Sequence, residues 1–193
     1  MRLKFKRIII ALIIIFITIF LALFARETLQ EKSKTNNSSG NTNITDIFTN
    51  NSQIELEEAY VTKVIDGDTI WALINGNEEK IRLIGIDCPE YTKEIEAYGK
   101  EATEFTTEKL LNKTIYLQKD ITNTDNYGRL LRYVWTQKID EITDENTKNY
   151  LFNYTLVYEG LANSNYYKPN TTLQNYLEEA EDYAKENKKG MWQ

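Results

Sequence analysis

The sequence predicts an α+β fold in which a small five-stranded β-barrel carries three helices. Three observations lead to this prediction. From about residue 54, five short runs rich in β-branched and aromatic residues alternate with turn dipeptides. Three other segments carry apolar residues at helical spacing. The helical segments follow the third and the fifth strand-like runs, as they do in barrels with helical additions.

The N-terminal residues 1–26 are predicted to direct the chain into or across a membrane. Four basic residues within the first seven precede an apolar run over residues 8–25. That run is at the short limit of the roughly 17–25 residues that a spanning helix needs. The basic residues place the N-terminus in the cytoplasm and the remaining chain outside. We therefore expect an extracellular protein, either anchored by an uncleaved helix or secreted after signal cleavage.

Residues 27–53 are predicted to be a linker, and residues 54–193 to form the single folded domain. The linker is rich in Asn, Ser and Thr and has no periodic apolar pattern. The domain contains 16 basic and 26 acidic residues, a formal charge of −10. This charge opposes long-range attraction of a polyanion.

The composition restricts the chemistry that the domain can perform. The chain has one cysteine and no histidine. An internal disulfide and a Cys/His zinc site are therefore excluded. A bound metal must use oxygen ligands, and a general base must be a carboxylate, a lysine or a tyrosine.

The five predicted strands begin with a three-stranded meander. The strand-like runs lie at about 57–65, 69–74, 80–86, 114–118 and 130–135. Asp66-Gly67 and Asn75-Gly76 separate the first three runs, and both dipeptides favour tight hairpin turns.

The three predicted helices lie at about 98–113, 149–162 and 171–190. Gly160 and Gly190 are the expected stops of the second and third helices. An oligonucleotide-binding barrel is one architecture that combines five strands with helices in these places.

Acidic residues stand at two strand ends of this meander. The stretch "VIDGDTI" adds Asp68 to the Asp-Gly turn, and "RLIGIDCPE" places Asp87 and Glu90 after the third strand. If the meander pairs in order, Asp68 and Asp87 meet at one end of the barrel. Two close carboxylates repel unless they share a proton or a cation. With oxygen ligands alone, the expected cation is Ca²⁺ or Mg²⁺.

Two arginines accompany these acids. Arg82 lies in the third strand, and Arg129 opens the fifth strand after the turn in "TDNYGRLLRYVW". Taken singly, a turn acid and a strand-end arginine fit ordinary surface positions. Taken together, they are the groups that phosphoryl chemistry uses. Metal and guanidinium offset charge on the phosphate, while a carboxylate orients or deprotonates water.

From about residue 59 to residue 192, the chain resembles the staphylococcal nuclease family. The blocks "VIDGDTI", "RLIGIDCPE", "YGKEA" and "DNYGRLLRYVW" occur in the family's order, and "GLANSNYYKPN" and "KKGMW" are also similar. The resemblance implies an oligonucleotide-binding barrel with three helices. It further implies a Ca²⁺-dependent nuclease that cleaves DNA and RNA and leaves 3′-phosphates. We expect a monomer, with the membrane as a partner if the N-terminal segment is uncleaved.

The resemblance also implies individual roles. Asp68, Asp87 and the backbone carbonyl of Cys88 would bind the metal, and Asp66 would support them from behind. The family's best-known member has threonine in place of this cysteine, which a carbonyl ligand tolerates.

Other residues would act on the substrate. Arg82 and Arg129 would bind the scissile phosphate, and Glu90 would be the general base. The side chains expected near the nucleotide are Tyr127, Tyr167 and Lys168.

The sequence departs from the family pattern in its surroundings. A lysine-rich loop of some members is shortened to "YTKEIEAYG", Asn126 replaces a lysine, and a polar insertion spans about 137–148. Two other functions remain open beside the nuclease. One is a barrel that binds nucleic acid or protein without cleaving it. The other is a structural Ca²⁺-binding surface domain.

Overall fold

The computed structural model describes residues 54–92 and 95–193. The predicted N-terminal membrane segment and the predicted linker lie outside these residues. Among the helices of the described part, none has both the length and the apolar character that crossing a membrane requires.

Five of the described strands close a barrel, as the sequence predicts. The strands are β1 (Leu56–Asp66), β2 (Thr69–Ile74), β3 (Asn77–Leu83), β4 (Ile86–Asp87), β5 (Thr114–Gln118), β6 (Leu130–Trp135) and β7 (Asn163–Ser164). The barrel order is β1-β2-β3-β6-β5, and β1 also pairs with β5 to close it. The barrel is mixed, because β3 and β6 run parallel while the other neighbours are antiparallel.

The meander forms with the second turn as predicted and the first shifted by one residue. Asp66 ends β1 and pairs with Thr69, so Gly67 and Asp68 form the first turn rather than Asp66 and Gly67. At the second turn Asn75 and Gly76 both have positive φ, 50° and 83°. That conformation matches the twist of the flanking strands, and Asn-Gly adopts it readily. β1 to β3 therefore pair in chain order, which brings the first turn beside the end of β3.

The third strand ends earlier than predicted. The apolar run suggested a strand through residue 86, but β3 ends at Leu83 and the chain turns at Gly85, with a φ of 79°. After the turn the chain leaves the barrel, and its next strand, β4, pairs with β7 in a separate two-stranded sheet. An unbroken apolar run does not reveal such a turn. The break places Asp87 on the small sheet beside the barrel.

The described residues contain four α-helices, where the sequence predicted three. They are α1 (Gly99–Leu110), α2 (Asp144–Tyr150), α3 (Phe152–Tyr158) and α4 (Gln174–Glu186), followed by a 3₁₀ turn at Gly190–Trp192. The additional helix is α2, which occupies the end of the polar insertion and the first residues of the segment predicted as the second helix.

The α2 helix is stabilised by its N-terminal cap rather than by a stripe of apolar residues. The Thr143 hydroxyl accepts a hydrogen bond from the backbone N–H of Asn146 at 3.1 Å. Asp144 and Glu145 stand in the first turn, where acids favour a helix. Leu151 is extended, with φ −76° and ψ 108°, and separates α2 from α3.

The hydrophobic core fills the barrel and continues under the helices. It includes the fully buried side chains Ile70, Ile81, Leu83, Leu117, Leu131 and Trp135. α1 packs against β1, with Ala102 and Leu110 both buried. The Thr106 hydroxyl of α1 donates to the Gly67 carbonyl at 2.7 Å. This contact ties the first hairpin turn to a helix packed on the core.

Candidate active site

The β1–β2 turn holds the carboxylate of Asp68 in a fixed position. Asp66 pairs with Thr69, so Gly67 and Asp68 form the loop between them. Asp68 is 5% exposed. Its Oδ1 accepts from the Thr69 hydroxyl at 3.0 Å, and its Oδ2 accepts from the backbone N–H of Cys88 at 2.9 Å. Asp66 lies behind it, because Asp66 Oδ1 accepts from the Asp68 N–H at 3.2 Å.

A close approach at Gly67 joins this turn to the chain after β4. A Cβ at Gly67 would lie 2.6 Å from Cys88 Sγ and 2.9 Å from Ala102 Cβ. Only glycine fits without displacing them. Burial is the main reason that the pKa of the Cys88 thiol lies well above its ordinary value, and the charge of Asp68 adds to it. The side chain of Cys88 therefore remains a neutral thiol, which leaves the backbone carbonyl as the possible ligand.

Arg82 lies between two carboxylates. It pairs with Thr69 across β2 and β3, and its Nη1 donates to the carbonyls of Leu83 and, at 2.9 Å, Ile86. Its Nη2 lies 3.0 Å from Asp68 Oδ2 and 2.9 Å from Asp87 Oδ1. The Asp68 side chain is 8% exposed, whereas that of Asp87 is 58% exposed. The structure thus brings Asp68, Arg82 and Asp87 together in a cluster that is open on the Asp87 side.

The electrostatics of Asp68 favour a cation. Burial raises the pKa of the Asp68 carboxyl to about 7, and the positive charge of Arg82 opposes this rise without cancelling it. A further positive charge beside Asp68 would stabilise its ionised form. Residues 54–92 and 95–193 contain no cluster of three or more metal-binding side chains. A metal would therefore use two carboxylates, the Cys88 carbonyl and water, a donor set that fits a hard cation such as Ca²⁺.

Asp125 orients the second arginine. Arg129 Nε donates to Asp125 Oδ2 at 2.6 Å. Asp125 Oδ1 accepts from the backbone N–H groups of Tyr127 and Arg129, at 2.9 and 3.0 Å. Because Nε makes this contact, the Nη groups remain available for an anion, and no carboxylate in the described part of the chain pairs with them. Arg129 directly precedes β6, and β6 runs parallel to the strand that carries Arg82.

We expect the ionised carboxylate of Asp125 to stabilise the fold near neutral pH and to lose this contribution in acid. Burial alone would raise the pKa of Asp125, but hydrogen bonds from Arg129 and from the Tyr127 backbone lower it. A carboxyl with a lowered folded-state pKa stabilises the fold above its unfolded pKa of about 3.9 and loses that contribution as pH falls through the folded value. Asp125→Asn should lower the free energy of unfolding by about 1–2 kcal/mol near neutral pH and by less in acid.

Urea unfolding of the wild type and of Asp125→Asn, between neutral and strongly acidic pH, measures the difference in their free energies of unfolding. Asp182→Asn is the matched control, because Asp182 is exposed on α4. If the two variants lose the same stability at every pH, the Asp125–Arg129 contact does not contribute as described.

Neither Glu90 nor Tyr127 makes a hydrogen bond or an ion pair with Asp68, Arg82 or Asp87 within residues 54–92 and 95–193. Glu90 is exposed, three residues beyond Asp87, and its Oε2 accepts from the Thr92 hydroxyl at 3.3 Å. Tyr127 is 85% exposed, and its ring lies 5.5 Å from the Arg129 guanidinium.

The segment after β7 leads from the cluster to Tyr167 and Lys168. Asn163 pairs with Asp87, so this segment starts beside a proposed metal ligand. Tyr167 is 39% exposed, and Lys168 Nζ lies 5.3 Å from the ring of Tyr166, which is 57% exposed. Neither Tyr166 nor Asp125 was among the residues predicted from the sequence. Asp125 is the first residue of the stretch "DNYGRLLRYVW", four residues before the arginine that it orients.

The fold and the cluster together define the class: a five-stranded barrel with two carboxylates and an arginine at one end, and a second arginine that precedes the neighbouring strand. A family model described as "Staphylococcal nuclease homologue" matches residues 80–193. Thermonuclease of Staphylococcus hyicus is 39% identical over 140 residues, covering 70% of this chain and 76% of the relative.

Two further relatives agree with this match. Thermonuclease of Staphylococcus intermedius is 39% identical over 140 residues, covering 70% of this chain and 77% of the relative. The SPbeta prophage-derived endonuclease YokF of Bacillus subtilis is 32% identical over 145 residues, covering 72% of this chain and 45% of the relative. The chain belongs to the staphylococcal nuclease family, and the resemblance seen in its sequence blocks is confirmed.

Proposed function

We propose that this protein is a Ca²⁺-dependent nuclease that hydrolyses phosphodiester bonds of DNA and RNA and leaves 3′-phosphates. The observation that carries the proposal is the contact of one Arg82 nitrogen with both Asp68 and Asp87. Membership of the family and the names of the relatives support phosphodiester hydrolysis. We also propose that it acts as a monomer.

Asp68, Asp87 and the Cys88 carbonyl are the groups that would hold Ca²⁺. When bound there, Ca²⁺ would supply positive charge that polarises a phosphate oxygen and acidifies bound water. The exposure of Asp87 leaves room for the substrate on that side.

The arginines and Glu90 have distinct tasks in the proposed reaction. Arg82 and Arg129 bind the phosphate and stabilise the negative charge that grows on it in the transition state. Glu90 takes a proton from water, whose oxygen attacks phosphorus in line as the bond to the 5′-oxygen breaks. The 5′-oxygen takes up a proton, and the phosphate stays on the 3′ side.

Removal of the metal is the direct test. The full-length protein should cleave a short labelled oligonucleotide in millimolar Ca²⁺, lose this activity in excess EDTA, and recover it when Ca²⁺ is restored. Mg²⁺ should support little cleavage, because it demands a tighter octahedral shell than Ca²⁺. Sensitivity of the product to a 3′-phosphatase tests the position of the phosphate. Cleavage that persists in excess chelator, or full activity with zinc alone, would contradict the metal assignment.

The acidic charge of the domain favours a second candidate, a barrel that binds without cleaving. A formal charge of −10 weakens long-range attraction of nucleic acid. The same assay separates the two functions, because a binding module retains the oligonucleotide uncut at every Ca²⁺ concentration.

We further propose that the domain acts outside the cell. The support is the basic N-terminal flank and the apolar run over residues 8–25. If the segment is an uncleaved anchor, the protein should stay in the membrane pellet after a high-salt wash. If it is cleaved, a shortened protein should appear in the medium. Full-length protein in the soluble cytosolic fraction would contradict both forms.

A further inference from the structure

Glu96 contacts Glu90, and two hydrogen bonds join the two residues. The backbone N–H of Glu90 donates to Glu96 Oε2 at 2.9 Å. The backbone N–H of Glu96 donates to the Glu90 carbonyl at 2.9 Å. Both polar groups of the Glu90 backbone are therefore held by one residue.

The start of α1 holds the other side of the same backbone. The Gly99 N–H donates to the Glu96 carbonyl at 3.2 Å. A Cβ at Gly99 would lie 2.8 Å from the carbonyl carbon of Glu90 and 3.0 Å from the carbonyl oxygen of Pro89. α1 is itself fixed by its buried face and by the Thr106 bond to the β1–β2 turn. Glu90 is thus attached to a rigid element through Glu96.

Within the described residues, the side chain of Glu90 has a single hydrogen-bond partner. It is exposed, and its hydrogen-bond partner is the Thr92 hydroxyl at 3.3 Å. The direction of the carboxylate therefore depends on the backbone from which it projects. A shift of about 1 Å in a catalytic carboxylate strongly lowers the reaction rate, because proton transfer and in-line attack require near-contact geometry.

We propose that Glu96 is a positioning residue for Glu90, and this inference rests on the proposed function. The Glu96 carboxylate fixes the backbone of Glu90 and thereby aims its side chain at the attacking water. An ionised acceptor makes a stronger bond to a backbone N–H than a neutral one does. Glu96 is also exposed, so its contribution to the stability of the fold is small.

Single-turnover cleavage by the full-length protein tests the proposal. Glu96→Ala should lower the cleavage rate by about 10–10²-fold with little change in apparent substrate affinity. Glu96→Gln keeps an oxygen that can accept the Glu90 N–H, so most of the rate should return. Glu101→Ala is the matched control, since it removes an exposed acid nearby, in the first turn of α1. This control should keep the wild-type rate.

A double-mutant cycle distinguishes positioning from a general structural effect. If Glu96 acts through Glu90, Glu96→Ala should have no further effect on an enzyme that already carries Glu90→Gln. If the two losses multiply, or if Glu96→Ala cleaves at the wild-type rate, the inference is overturned while the proposed nuclease function stands.

Amide hydrogen exchange at Glu90 gives a readout that does not depend on activity. The Glu90 N–H should exchange more slowly in the wild type and in Glu96→Gln than in Glu96→Ala. Equal exchange in all three proteins would overturn the inference. Absence of cleavage by the wild type would instead contradict the proposed function, and the exchange experiment would then still decide whether Glu96 holds the Glu90 backbone.

Discussion

Replacing Arg82 by lysine is expected to lower the cleavage rate by about 10²–10³-fold. The guanidinium donates through Nη1 to two backbone carbonyls while Nη2 contacts Asp68 and Asp87. A lysine ammonium has three donors at a single point, so it cannot make these four contacts and also offer a phosphate a hydrogen bond, as the remaining Nε–H of Arg82 can. Single-turnover cleavage in saturating Ca²⁺ measures the loss.

The matched control is Arg132→Lys, which makes the same chemical change at another largely buried arginine. Arg132 is 6% exposed and donates to the carbonyls of Leu131 and Asn123. This variant should lose stability but retain the cleavage rate of each folded molecule. If Arg82→Lys and Arg132→Lys lower that rate equally, the loss reflects folding rather than phosphate binding.

Replacing Glu90 by glutamine is expected to lower turnover by about 10²–10⁴-fold, the usual contribution of a general base. Glutamine has nearly the shape of glutamate but cannot take a proton from water at neutral pH. Ca²⁺ binding, measured by calorimetry, should change little, because Asp68 and Asp87 are untouched.

Glu101→Gln is the control for the loss of one negative charge near the site. It should cleave at the wild-type rate. Equal turnover of Glu90→Gln and the wild type would remove Glu90 from the mechanism and leave water activation to another group.

The meander and the acid–arginine cluster at its end could be predicted because short-range rules decide them. Asn-Gly forms the second hairpin turn and Asp-Gly marks the first to within one residue, so the meander pairs in order. That pairing alone places Asp68 beside Arg82. The ordered sequence blocks indicate the role of Arg129 through the family resemblance. The parallel pairing of β3 with β6, which positions Arg129, joins distant parts of the chain and follows from no local pattern.

Other features depend on contacts that no periodic pattern reveals. The strands β4 and β7 have two residues each, which is too short for an alternation to appear. The α2 helix depends on its Thr143 cap inside a polar segment. Asp125 and Glu96 act through loop hydrogen bonds, so their partners are known only once the chain has folded. The residues that orient the site are therefore less evident from the sequence than the residues that form it.

The closure of the barrel determines at which stage of folding the site is assembled. Leu56 pairs with Gln118, and Ile81 pairs with Leu130, so the joining contacts link distant parts of the chain. Folds dominated by such contacts have high contact order and fold slowly, typically in milliseconds to seconds. Arg129 reaches the level of Arg82 only after the β3–β6 pairing forms. If the chain is exported unfolded, as the proposed location outside the cell requires, it carries no assembled site in transit, and hydrolysis begins only where folding is completed.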